Sequence, residues 1–105
     1  MAFDIDRAVA LALTAKGSGR LSFPQMISLL EVGRLRELPL STIDATGENG
    51  WVPRDCGFHV DLNELEDAGE DRPTIAAKSI GWALTYYASG EVGYIGAEFE
   101  VWFRP

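Results

Sequence analysis

Apolar residues recur at every second position from Ile95 to Phe103. Ile95, Ala97, Phe99, Val101 and Phe103 occupy every second position, with Gly96, Glu98, Glu100, Trp102 and Arg104 between them. This is the period of two of a strand that buries one face. Phe99, Val101 and Phe103 would each contribute about 1.5–3 kcal/mol on full burial. The segment 94–104 is therefore expected to be a central or near-central strand, and the remainder of the chain must cover its apolar face. Pro105 has no N–H to give to a ladder, so the strand stops there.

The 105 residues suit one compact domain, 1–105, large enough to bury about two-thirds of its unfolded surface without a staple. A 47% hydrophobic share with 24% charged residues argues against disorder. Ala8 to Ala15 is apolar, but Asp4 and Asp6 stand where a secretory signal needs positive charge, so this stretch is read as a helix. No apolar run approaches the ~20 residues of a membrane span. The single cysteine, Cys56, has no internal disulfide partner and fits a reducing compartment. A soluble, cytoplasmic protein is the expectation.

Three helices are expected. Ile5, Val9, Ala12 and Leu13 recur at helical spacing, which places the first over 6–16 with Gly17 beyond its end. Ser22 and Gln25 form a capping box, Leu21 and Met26 a hydrophobic staple, and Pro24 lies in the first turn. The second helix then runs over 23–33, with Gly33 as its C′ residue. The third, 73–89, collects Ala76, Ile80, Ala83, Leu84 and Tyr87 on one face and Thr74, Lys78, Gly81, Thr85 and Ser89 on the other. A strand reading of that segment would instead align Ile80, Trp82, Leu84 and Tyr86; the helix is preferred for Asp71 near the N-cap, Pro73 in the first turn and Gly90 as C′. Short strands are expected over 38–43, where Pro39 marks an edge or a strand start, and over 57–62. Asn49-Gly50 signals a turn between them, and the acidic 63–72 reads as a loop or one helical turn. The fold class is α+β, three helices on a small, mostly antiparallel sheet.

Charge is unevenly distributed. Nine acids lie between Asp44 and Asp71 against Arg54 alone, a net of −8, whereas the rest of the chain carries +1. Such a segment repels nucleic acid and attracts basic surfaces. Asp61, Glu64, Glu66, Asp67, Glu70 and Asp71 are thus the candidate residues for binding a partner, although a solvated loop would look the same. Calcium fits poorly, because the sixth position from Asp61 is not glycine and the twelfth is Arg72.

Other candidate chemistries are thin. Cys56 and His59 could form a thiol–imidazole pair only if 55–57 turns, since residues three apart on a strand face opposite ways. Cys-x-x-His supplies at most two of the four ligands of a structural zinc. Gly17-Ser18-Gly19-Arg20 precedes a helix but lacks the lysine and the preceding strand of a phosphate loop, and reads as a connector. No catalytic, cofactor-binding or metal site is therefore assigned.

Seven of the eleven aromatic residues lie in the last quarter of the chain: Trp82, Tyr86, Tyr87, Tyr94, Phe99, Trp102 and Phe103. Most are expected in the core. Tyr94 and Trp102 share the polar face of the last strand and are either covered by another element or exposed as contact anchors. The functional expectation is a small acidic protein that occupies a basic surface of a protein partner, as inhibitors, immunity proteins and nucleic-acid mimics do. A subunit that self-associates through the C-terminal strand is the alternative, and an enzyme using Cys56 and His59 a weaker third.

Overall fold

The computed structural model describes residues 3–46, 57–88 and 97–105. In order the elements are α1 (Ile5–Ala12), α2 (Phe23–Leu35), β1 (Leu40–Thr46), β2 (Phe58–His59), α3 (Leu62–Asp67), α4 (Arg72–Ala88) and β3 (Glu98–Phe103). The three strands form one antiparallel sheet in the order β2-β1-β3. The fold is α+β, and the helix expected over 73–89 is present as α4, Arg72–Ala88.

Leu40, Ile43 and Ala45 of β1 and Phe99, Val101 and Phe103 of β3 point to one side of the sheet. There they join Val9 and Ala12 of α1, Met26, Leu29 and Leu30 of α2, and Ile80, Ala83 and Tyr87 of α4 in a single core. Tyr87 stands edge-on to Phe99 with ring centroids 5.7 Å apart. A smaller cluster of Val60, Leu62 and Ile75 fastens α3 to α4. None of the helices among the described residues is long and apolar enough to cross a membrane.

Several boundaries differ from the expectation, each for a tertiary reason. β1 extends to Thr46 rather than 43, because Asp44, Ala45 and Thr46 pair with Glu100, Phe99 and Glu98. It is also the central strand, with Pro39 at its start. β3 is an edge strand of the sheet rather than the central one expected, because β1 takes the middle and pairs on both sides. On the far side of β3 only an isolated bridge follows, in which Leu21 exchanges two 2.7 Å backbone hydrogen bonds with Phe99. Ser18 completes that seam, its N–H donating to the Val101 carbonyl and its hydroxyl accepting from the Val101 N–H at 2.9 Å. The connector 17–20 thus closes an open sheet edge.

β2 spans two residues, not 57–62. Asp61 caps α3 by accepting from the Glu64 N–H at 3.3 Å, which turns Leu62 from the strand into a six-residue helix. α1 ends at Ala12 rather than 16: the Thr14 hydroxyl donates to the Leu11 carbonyl at 2.6 Å, competing with the helix ladder. That turn leaves the Ala15 carbonyl free to accept from the Trp102 indole N–H at 3.1 Å.

The capping box is present with both of its bonds. The end of α2, however, is not Gly33. Helix continues to Leu35, and the left-handed residue is Glu37, at φ 58°. The Leu38 N–H reaches the Gly33 carbonyl and the Glu37 N–H the Arg34 carbonyl, which together make a Schellman motif. Gly33 is required for a different reason: a Cβ there would stand 2.5 Å from Cζ of Phe103. The strand expected over 94–104 is described from residue 97 onward; the Asn49-Gly50 turn and Gly90 lie outside the described residues.

Candidate functional site

The six acids singled out between 61 and 71 have unequal roles. Asp61 and Asp71 are helix caps; Asp71 accepts from the Thr74 N–H at 2.9 Å at the start of α4. The Thr74 side chain and its backbone N–H hold the Asp71 carboxyl below the ordinary carboxylate value. Glu66 pairs with Arg104, which also donates to Asn63, and Glu70 pairs with Lys78. Arg72 donates to the carbonyls of Arg104 and Pro105, so this corner also secures the end of the chain. The side chains of Glu64 and Asp67 remain, exposed on α3 and without a hydrogen bond or ion pair among the described residues.

A groove of about 310 Å³ opens beside them, between α3 and α4. Leu65, Ala68 and Trp82 form apolar walls, and His59, Asp61 and Glu64 stand along it. Trp82 is 49% exposed. Sequence reasoning grouped it with the core aromatics, yet Lys78, Trp82 and Thr85 follow i, i+4, i+7 spacing along one stripe of α4. Both flanking members of that stripe are polar, which was the signal available in the sequence, and both are exposed.

The open face of the sheet is polar. Thr42, Asp44 and Thr46 lie opposite Trp102, Glu100 and Glu98, so Asp44 and Glu100 place two carboxylates side by side. His59 pairs with Thr42 and receives or gives a 3.1 Å hydrogen bond between Nδ1 and the Thr42 hydroxyl, placing it between this face and the groove. Trp102 is half-buried. Its ring covers Gly17, where a Cβ would stand 2.6 Å from Cε2, and its uncovered edge borders Ser41, Thr42 and Asp44. Tyr94 and Cys56 lie outside the described residues.

Among the described residues no group of three His, Cys, Asp or Glu side chains is placed to hold a metal ion. Comparison of the chain with protein-family models, with curated proteins and with solved structures finds no match.

Proposed function

We propose that this chain is a small acidic binding protein that occupies a basic surface of a protein partner. The observation that carries the reading is that Glu64 and Asp67 stay exposed on α3 and uncompensated among the described residues, while their neighbours Glu66 and Glu70 are neutralised within the fold. Carboxylates without an ion-pair partner in the fold act on other molecules mainly through their field, which speeds encounter with a cationic surface. Self-association through β3 has less support, because Ser18 and Leu21 already occupy the edge such pairing needs.

The test uses the double variant Glu64→Gln/Asp67→Asn, which leaves every described ion pair and cap in place. Its thermal midpoint should equal or slightly exceed that of the parent, since like-charge repulsion falls. Association with the partner that co-purifies from the native host should slow several-fold at low ionic strength. The two rates should converge as the Debye length shrinks from about 10 Å at 0.1 M to about 3 Å at 1 M salt. Equal rates at both salt concentrations would sink the reading.

A further inference from the structure

We infer that the groove between α3 and α4 receives one arginine side chain of the protein partner. The inference deepens the acidic-surface reading and rests on it. An arginine has a long apolar stem and a flat cationic head, and the groove offers a surface for each. Leu65 and Ala68 face the stem, as apolar walls do for the methylenes of long cationic side chains. Trp82 supplies the aromatic ring that attracts a cation most strongly, and tryptophan is also the residue most enriched among interface anchors.

Glu64 and Asp61 bring carboxylates to the same groove. The Glu64 side chain has no described partner, and Asp61 uses Oδ1 for its cap at 3.3 Å, leaving Oδ2. Carboxylate oxygens match the forked donors of a guanidinium, which is also less strongly hydrated than an ammonium and stacks on aromatic faces. Arginine is therefore favoured over lysine. The volume lies at the lower end of the roughly 300–1,000 Å³ of ligand pockets and is enough to admit one side chain. An anionic ligand would meet two carboxylates and neither a lysine nor an arginine along these walls.

The measurement is a nitrogen-15 NMR titration of the full chain at low salt with two capped peptides of equal charge, one alternating arginine with glycine and the other lysine with glycine. The arginine peptide should shift the Trp82 indole N–H and the amides of Glu64, Leu65 and Ala68 saturably, and should bind about tenfold more tightly than the lysine peptide. Trp82→Ala and Glu64→Gln should each weaken the arginine peptide about fivefold or more while changing the lysine peptide less. Trp82→Leu serves the same purpose if the alanine variant is poorly folded. Equal binding of both peptides, insensitive to Trp82 substitution, would overturn the groove inference and leave the acidic-surface reading standing. Failure of both peptides to bind at low salt would overturn both.

Discussion

Replacing Gly33 and Gly81 with alanine, one at a time, should move stability in opposite directions although both lie inside helices. Alanine is favoured over glycine there by about 0.8–1 kcal/mol. At Gly81 a new Cβ meets nothing within 4 Å, so the whole gain should appear. For a domain of this size that raises Tm by about 4–8 °C. At Gly33 the same atom would stand 2.5 Å from Cζ and 2.8 Å from Cε1 of Phe103, and 3.3 Å from Cδ1 of Ile80. Phe103 and Ile80 are both buried, so neither ring nor methyl has open space to retreat into. Overpacking of this kind costs about 1–3 kcal/mol. Set against the propensity gain, the net loss is about 1 kcal/mol, a fall of roughly 5 °C.

A double-mutant cycle identifies the cause. Phe103→Leu removes the clashing ring atoms, so Gly33→Ala should become stabilising in that background, with a coupling of about 1–3 kcal/mol between the two sites. Thermal and urea unfolding followed by circular dichroism supply all four corners. If Gly33→Ala raised Tm as much as Gly81→Ala, or if the two changes at 33 and 103 simply added, the close approach of Phe103 would not be what selects glycine.

Glu37→Gly should stabilise the protein by about 0.5–1 kcal/mol, since a left-handed backbone is costly for glutamate and free for glycine; a lower urea midpoint would remove the Schellman assignment. Asp71 contributes a pH dependence of definite sign. Its folded pKa is depressed, so its stabilisation is complete above the unfolded value of about 3.9 and fades as pH falls through the folded one. Asp71→Asn keeps a capping oxygen but does not titrate, and should flatten the stability profile below about pH 4. Carbon-13 NMR of the carboxyl should also show Thr74→Val moving the Asp71 pKa back up; an unmoved value would exclude the Thr74 side chain as the main cause.

What was legible in the sequence is what a few adjacent residues settle among themselves. The capping box needs only Ser22 and Gln25, and the buried face of β3 only its alternation, so both stand as read. The helix over 73–89 was likewise legible, because its apolar spacing and Asp71 act within one or two turns. Contacts from distant parts of the chain settled the rest. Ala15 gives its carbonyl to Trp102 and α1 stops early; Phe103 leans over Gly33, and that glycine sits mid-helix rather than at a cap. Ser79 is buried because its hydroxyl accepts from the Leu40 N–H at 2.9 Å, a partner 39 positions away. The candidate site followed the same division. A net charge confined to one segment can be counted from composition, but which carboxylates remain unpaired depends on where Lys78 and Arg104 end up. Whether Trp82 is core or surface depends in turn on which side of α4 meets the sheet. Neither is encoded locally, since burial and ion pairing are properties of the neighbours that folding brings together.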